Sequence, residues 1–450
     1  MLIRQTAPVF GAEGSPYAQT GEWQVNVSLR NLRSTDHYSL DQEQLQRQTL
    51  GTYVVNQQHA ADLTIGYQLN PRIGISVGIP FVSASWSIPS PTSGPGPRAQ
   101  QDARGIGDIS AAARFWMFDT KKHTKANVAI GVGVKTPTGN SAAQDMYPDS
   151  AGNNNQLRYV DQSVQPGDGG WGITTDVQAF RRMKRVLLFA SGSYLLNPRN
   201  KNDTPSLSVA RLAPGATPSA SNFNKLVNSV PDQYLVRTGT SVGIGRGLAG
   251  SVAWRMEGMP RYDLIGRSDG FRRPGLEMFI EPGVSYSIGR STWSFNLPIG
   301  IYRNRKPDAY TGLLGDATFP KAIVLASYSM RFGGLPQFRR PATPMTSNNA
   351  TPGAAPAAAA APVAPRPLPD PGPGRAAVGL DIAGMTCDQC ADTVRRALLA
   401  VKGVASAEVT VDRAEAVVVY DPSVVKTDAL VSAVNHAKGM NAYRARTRAM

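Results

Sequence analysis

Between Gly21 and Gly333, apolar and polar positions alternate in long runs, a period that predicts β-strands rather than helices. The runs that place apolar residues on one face include Trp23, Val25, Val27 and Leu29; Ile73, Ile75, Val77, Ile79 and Phe81; Trp293, Phe295, Leu297, Ile299 and Ile301. Strands of soluble sheets are usually about 5 to 6 residues long. These runs extend over about 10 residues or more, the length that a tilted strand needs to cross a bilayer.

The connections between the runs predict how they assemble. Twelve strand patterns begin near residues 22, 60, 73, 107, 125, 171, 186, 233, 249, 277, 291 and 322. Tight turns, such as 70–72 and 289–290, alternate with long loops, such as 137–170 and 198–232. Short turns at one end and long loops at the other are typical of outer-membrane barrels, and an even strand count places both barrel ends on the periplasmic side. We therefore expect an all-β transmembrane barrel of about 12 antiparallel strands over residues 21–333.

The pattern changes after residue 374. Val378, Leu380 and Ile382 alternate as in a half-buried strand, and helical spacing follows at Cys390, Val394, Ala397, Leu398 and Val401. Residues 404–412 and 415–420 form two strand patterns around a two-residue loop at 413–414. A helix over 427–438 ends at Gly439, and residues 441–446 form a last short strand. The order predicts a small α+β ferredoxin-like βαββαβ domain over residues 375–450.

The only two cysteines of the chain, Cys387 and Cys390, lie between the first strand and the first helix of this domain. Unpaired backbone N–H groups and the helix dipole favour thiolate over thiol at such a position. Two thiolates without a third strong ligand suit a soft ion of low coordination number, Cu(I) first and Hg(II) by the same argument. A structural zinc site would need four protein ligands.

Other interpretations of the cysteine pair remain open. A thioredoxin-like dithiol is one, although the flanking elements lack a thioredoxin-like order. Two incidental cysteines are another. His436, the nearest imidazole, lies in the second helical pattern, where we expect an exposed residue rather than a ligand.

Residues 334–374 are rich in proline and alanine and predict a semi-rigid, partly polyproline tether between barrel and domain. Residues 1–20 form a separate N-terminal segment without the apolar core of a signal peptide. We therefore expect either that a signal peptide is missing from this sequence or that the protein is not exported.

The formal net charge of +15 would be compatible with nucleic-acid binding. Because Lys and Arg are scattered along the chain rather than clustered, we expect no nucleic-acid partner. The four histidines lie far apart and no serine occupies a nucleophile elbow, so we expect no enzyme activity.

Charged residues on the inward face are candidates for the barrel lumen, where they either line a permeation path or pair into a network. They are Asp108, Arg114, Lys135, Asp176, Glu257 and Glu281.

Residues 376–446 resemble the heavy-metal-associated domain of copper chaperones, metal-pumping ATPases and periplasmic mercury-binding proteins. The resemblance rests on the motif 384–390, the 402–404 turn, the 420–422 segment and Gly439. It implies that Cys387 and Cys390 bind metal, that Gly384, Met385 and Thr386 shape the loop, and that Met385 packs inward. Many members have an aromatic residue where this chain has Met440, which either offers a weak thioether contact or, as we prefer, fills space.

Residues 20–333 resemble a transporter-like outer-membrane family associated with phenol-degradation pathways. The segments that carry this resemblance are 105–108 and 135–139, and the end of the last strand, with Tyr328, Met330 and Phe332 on one face, is similar to the insertion signal of outer-membrane barrels. The leading hypothesis is therefore metal transport or homeostasis by an outer-membrane barrel with a periplasmic metal domain, with exchange of metal with a partner protein. The alternatives are a barrel that only anchors a metal-sequestering domain, and a channel for small organic solutes.

Overall fold

The computed structural model describes residues 16–90, 96–149, 151–212, 217, 225–333, 368–385, 388–411, 413–437 and 443–448. The chain divides into two compact units, Met1–Gly333 and Gly334–Met450. Within the described ranges, no helix is both long and apolar enough to cross a bilayer. Most of the predicted tether, residues 334–367, and most of the N-terminal segment, residues 1–15, lie outside the described ranges.

The first unit consists almost entirely of strands. They are β1 Glu22–Ser39, β2 Gln42–Glu43, β3 Val55–Gln68, β4 Ile73–Pro89, β5 Arg98–Ile106, β6 Ser110–Trp116, β7 Ala126–Lys135, β8 Gln144–Tyr147, β9 Gln156–Tyr159, β10 Gly172–Met183, β11 Val186–Leu196, β12 Lys201–Pro205, β13 Val227–Ser229, β14 Gln233–Gly245, β15 Leu248–Met259, β16 Gly275–Ile288, β17 Ser291–Asn296, β18 Ile299–Arg305 and β19 Ala317–Gly333. Two four-residue helices, α1 Gln46–Thr49 and α2 Leu207–Ala210, and a 3-10 turn, Gln162–Val164, lie in the loops.

The large sheet closes on itself, because β1 pairs with β3 on one side and with the last strand, β19, on the other. Of the fifteen strands in this sheet, as far as the structure describes it, β2 is a two-residue extension at the end of β1. The strands β5 and β6 share one position beside β4, and β17 and β18 share one beside β16. Twelve positions remain, all antiparallel, so the predicted twelve-stranded barrel is confirmed.

The shared position of β17 and β18 has a local cause. The sequence Leu297-Pro298 separates the two strands, and a proline cannot donate a ladder hydrogen bond. Ile323 instead donates its N–H to the carbonyl of Pro298, which keeps the broken strand attached to β19. A single long strand over this region, as the alternation predicted, is therefore replaced by two shorter strands.

The apolar faces predicted from the alternation point away from the barrel axis. Trp23, Val132, Trp293 and Ile301 are each exposed over 42% or more of their surface, whereas the alternating residues of the same strands face inward. A soluble sheet would bury such a face, so this barrel has an apolar outer wall and a polar interior. The predicted short turns and long loops are also present, but the strands extend further: β19 begins at Ala317, five residues before the predicted start.

Residues of the N-terminal segment enter the short-turn end of the barrel. Tyr17 packs edge-on against Trp116 and Phe180, with ring centroids 4.9 and 5.7 Å apart. Its hydroxyl donates to the carbonyl of His123 and accepts from the Asn127 side chain. This buried aromatic cluster fills part of the lumen at that end.

The second unit is a four-stranded sheet with two helices. Its elements are β20 Ala376–Ala383, α3 Asp388–Leu399, β21 Val404–Thr410, β22 Glu415–Tyr420, α4 Thr427–Asn435 and β23 Arg444–Thr447, and the strand order is β21-β22-β20-β23. Apolar side chains of both helices and of the sheet form one core; the fully buried members are Leu380, Val394, Leu398, Ala416, Val418, Leu430 and Val434. The predicted βαββαβ fold is confirmed.

Three boundaries in this domain differ from the prediction. The reversal between β21 and β22 runs over 411–414, because Ala414 donates its N–H to Val411; the predicted loop at 413–414 therefore starts earlier. Helix α4 ends at Asn435, where the N–H of His436 still bonds to Ser432, rather than at residue 438. Strand β23 starts at Arg444 rather than at residue 441, and residues 438–442, with Gly439, lie outside the described ranges.

Candidate metal centre

The connection between β20 and α3 forms the candidate site. Ile382, 1% exposed, is the last deeply buried residue of β20, and Gly384 follows with a φ of +102°. That conformation strains residues with a Cβ, so glycine allows the chain to turn sharply out of the strand. Met385 then points back into the core and is 8% exposed, in agreement with the inward packing that the resemblance implied.

Cys390 lies in the first turn of α3 and is 2% exposed, in the same core cluster as Met385. Thr386 and Cys387 lie outside the described ranges, as does Met440, so the distance between the two sulfurs and the role of Met440 stay predictions. The first turn of a helix offers backbone N–H groups without intrahelical partners and the positive end of the dipole. Both features favour a thiolate at Cys390, whereas its burial in an apolar core favours the thiol.

The donor set suits a soft metal ion. Cys390 is part of the wall of an apolar core, and its pair partner Cys387 precedes the helix by one residue in the sequence. Thiolates prefer soft ions such as Cu(I) and Hg(II), and an apolar surround limits access of water to the metal. The chemistry of this loop therefore suits the capture of a soft cation.

His436 is exposed at the end of α4, as predicted. Its Nδ1 lies 2.9 Å from the carbonyl oxygen of Ser432, one turn earlier in the same helix. The imidazole thus lies within hydrogen-bonding distance of a backbone carbonyl in the last turn of its own helix, an arrangement common at helix C-termini.

An ionic cluster holds the C-terminal strand against the strand that leads to the metal loop. Arg448 donates to Asp381 on β20 over 3.1 Å and to Glu415 on β22. Burial opposes the charge of the guanidinium, but the hydrogen bonds that it donates to Glu415 and Asp381 raise the pKa of Arg448 above its ordinary value. Arg448 therefore stays charged and links three strands of the sheet.

The six charged residues predicted for the barrel lumen all form ion pairs. Arg114 and Asp176 are 2.6 Å apart. Lys135 contacts Asp108 at 3.3 Å and also Asp168. Glu257 pairs with Arg30 and Arg255, and Glu281 pairs with Arg237 and Arg255. Of the two interpretations of these charges, the structure favours the paired network.

The largest network, which we call the lumen belt, consists of Arg30, Arg237, Arg255, Glu257 and Glu281. Arg30 on β1 reaches Glu257 on β15, although β19, β18 and β16 separate the two strands around the wall, so the pair crosses the lumen. The three arginines and Asp168 were missed from the sequence. Alternation could have found Arg30, because Trp23, Val25, Val27 and Leu29 face outward and the even positions therefore face inward.

Comparisons with known proteins follow the division into two units. Residues 380–439 match the family model of the heavy-metal-associated domain. The mercuric transport protein periplasmic component of Salmonella typhi is 38% identical over 60 residues, which are 13% of this chain and 66% of that protein. This chain thus spans slightly less than two thirds of the length of such curated relatives.

Solved structures match both units. An outer-membrane channel from Pseudomonas putida F1 aligns with 74% of this chain and 100% of its own, with a TM-score of 0.47 and 10% identity. Oxidised MerP from Ralstonia metallidurans CH34 is 31% identical and aligns with 17% of this chain and 99% of its own, with a TM-score of 0.16. The family model, the buried Cys390 and the βαββαβ order agree, and the C-terminal part of this chain is a heavy-metal-associated domain.

Proposed function

We propose that this protein spans the bacterial outer membrane through its barrel and captures a soft metal ion, Cu(I) before Hg(II), on its C-terminal domain in the periplasm. The observation that carries the proposal is the position of Cys390, buried in the first turn of α3 directly after the Gly384 turn. Copper is preferred because two thiolates without a third strong ligand satisfy the low coordination number of Cu(I). Mercury shares this preference, and the curated relatives are mercuric proteins.

The outer wall of the barrel supports membrane insertion. Its apolar side chains are exposed, and aromatic residues gather at the short-turn end, where interfacial aromatic belts occur in membrane barrels. Trp23 stacks with Tyr67, with centroids 4.7 Å apart, and Trp293 with Tyr328, 4.3 Å apart. Gly333, the last described residue of the barrel, lies at this same end because it pairs with Glu22.

Two roles for the barrel follow. In the first, metal captured by the domain is passed to or from the pore, with a partner protein that exchanges metal. In the second, the barrel only anchors a sequestering domain. The lumen belt favours the second role, because its Arg30–Glu257 pair crosses the interior and occupies space that an open metal path would need.

Shortening the tether tests the choice between these roles. The length of a tether sets the local concentration of the domain near the pore, which falls when the tether cannot span the distance. If the domain serves the pore, reducing residues 334–374 to about ten should lower copper tolerance or uptake while Cu(I) affinity stays unchanged. If the barrel is an anchor, this deletion should have little effect. Cellular copper and survival under copper stress are the measurements.

The control in that experiment is a strain with Cys387→Ser/Cys390→Ser, which keeps the full tether. We expect the short-tether strain to match wild type and the double-serine strain to lose tolerance. A short-tether strain as sensitive as the double-serine strain would contradict the anchor role and establish coupling to the pore.

Protease accessibility tests the proposed periplasmic location. Arg375 is exposed just before β20, so trypsin that has access to the C-terminal domain should cleave near this residue. With short turns in the periplasm, trypsin added to intact cells should spare the C-terminal domain, and permeabilising the outer membrane should allow its release. Immunoblotting for the C-terminal domain measures the cleavage. Release from intact cells would reverse the proposed orientation.

A further inference from the structure

The short turns of the barrel carry an excess of basic residues. The five hairpins at this end have their turns at residues 69–72, 117–125, 184–185, 246–247 and 289–290. These turns contain eight Lys or Arg residues and one acidic residue, Asp119. Because the hairpin topology brings all five turns to one end, charges that are scattered along the sequence surround this end of the barrel.

A groove of about 610 Å³ lies in the outer wall across the hairpins β10–β11 and β14–β15, and we call it the outer groove. In the register of the sheet, the small side chains of Ala179, Ala190 and Thr238 lie side by side, and Trp254 follows on β15. Leu188, on the same outward face, is 41% exposed. The outer groove therefore faces lipid once the barrel is inserted in a membrane.

Arg181 lines the outer groove from the outward face of β10, opposite Leu188. Its side chain is exposed, and its guanidinium forms no ion pair with any residue that the structure describes. The turn with Lys184 and Arg185 begins three residues farther along the chain, and Arg246 lies in the turn of the β14–β15 hairpin; all three are exposed. Long basic side chains near the end of an apolar wall extend to the lipid headgroups, so four cations lie at the headgroup end of the outer groove.

No carboxylate compensates these four charges within the two hairpins. The strands β10, β11, β14 and β15 and their short turns contain two acidic residues, Asp176 and Glu257. Both occupy inward positions, where each is paired with arginine side chains of the lumen. The outward surface of this sector is therefore positively charged.

The groove and the charges select the same kind of occupant. Apolar walls fit an acyl chain, and Lys and Arg side chains near a membrane surface attract anionic lipid headgroups. Arg181 lies within the apolar wall, where only lipid comes within reach after insertion. An acidic protein would contact the turns without filling the outer groove.

We propose that the outer groove binds one anionic phospholipid, with an acyl chain along the groove and the phosphate group held by the basic cluster of Arg181, Lys184, Arg185 and Arg246. The proposal goes beyond metal capture. It rests on the membrane insertion of the barrel but not on metal binding by the C-terminal domain.

Titration of the full chain in detergent with phosphatidylglycerol tests the proposal, and native mass spectrometry counts the bound lipids. Phosphatidylcholine with the same acyl chains is the control lipid without net charge. One basic residue near an anionic lipid contributes roughly fivefold in affinity, so wild type should bind one phosphatidylglycerol about tenfold or more tightly than phosphatidylcholine. Arg181→Gln/Lys184→Gln/Arg185→Gln should abolish this preference.

Two further variants separate the lipid site from general effects of charge and folding. Ala190→Phe adds a ring to the outer groove and keeps every charge. Both lipids should then bind roughly threefold or more weakly, because a chain excluded from the groove loses apolar contact. The matched charge control neutralises three exposed arginines at the long-loop end and should keep the preference of wild type; it is Arg33→Gln/Arg104→Gln/Arg267→Gln.

Equal affinity of wild type for the two lipids would overturn the proposal, as would unchanged phosphatidylglycerol binding in the triple variant of the basic cluster or in Ala190→Phe. Displacement of the lipid by glycerol phosphate at equal concentration would also overturn it, since a headgroup site alone needs no groove. Insertion into phosphatidylcholine vesicles, followed by tryptophan fluorescence, is measured in parallel. A barrel that inserts without a lipid preference contradicts only this proposal, whereas a barrel that fails to insert contradicts the membrane location and the lipid site together.

Discussion

The full chain carrying Cys387→Ser/Cys390→Ser should lose stoichiometric Cu(I) binding. Hydroxyl groups are hard, weakly coordinating donors, so the substitution removes both soft ligands of the loop while changing little in size. We expect affinity to fall by roughly a thousandfold or more, equivalent to about 4 kcal/mol. The fold should persist, because the core around Leu380, Val394 and Leu398 is otherwise untouched.

Competition against a chromophoric Cu(I) chelator measures this loss, and the same assay with Hg(II) ranks the two ions. Asp392→Ser is the matched control, since Asp392 lies in the same helix but is exposed and pairs only with Arg395 on the surface. Equal metal retention by the wild type and the double-serine variant would show that the cysteine loop is not the metal site.

Glu257→Gln should destabilise the barrel far more than the same substitution at Glu277. Glu257 is 1% exposed and compensates two arginines, Arg30 and Arg255, of which Arg255 is 2% exposed. Removing one partner of a buried ion pair leaves an uncompensated charge and costs about 3–5 kcal/mol. Here the change would remove the carboxylate that Arg30 pairs with and leave Arg255 with Glu281, 3.6 Å away.

Glu277→Gln is the matched control because it makes the identical chemical change at the residue directly opposite Glu257, on the neighbouring strand β16. Glu277 has no ion pair within the described residues, so losing its charge should be neutral or stabilising. Urea unfolding of the barrel in lipid vesicles, followed by tryptophan fluorescence, gives both free energies. Similar losses for the two variants would mean that the lumen belt contributes nothing beyond ordinary packing.

The barrel shows how much of a fold can be predicted from the alternation of apolar and polar residues alone. Since successive side chains of a strand point to opposite faces, the apolar set around Trp293 and Phe295 had to share a face, and its length exceeded that of soluble strands. The number of strands and the order of turns and loops followed from the spacing. Strand ends did not; β19, for example, begins five residues before its predicted start, in a segment that Pro320 interrupts.

The lumen charges show the limit of the same argument. Alternation assigns Asp176 and Glu281 to the inward face, but which charge meets which depends on the circumference and stagger of the closed sheet. Arg30 and Glu257 are 227 residues apart in sequence and meet only because closure between β1 and β19 brings their strands to opposite sides of one narrow lumen. Glu277 likewise lies opposite Glu257 on β15 and opposite Arg303 on β18, a placement that only the register of the closed sheet fixes.

By itself, the sequence determined the two folds, the outward apolar wall and the cysteine loop, because each depends on local periodicity or on residues three positions apart. The tertiary structure decided the rest. It turned a row of candidate lumen charges into a belt of ion pairs, buried Glu277 without an ion pair among the described residues, and buried Met385 and Cys390 in one core. The physical reason is that pairing and burial depend on contacts between residues far apart in the chain, which closure of a barrel and packing of helices on a sheet create.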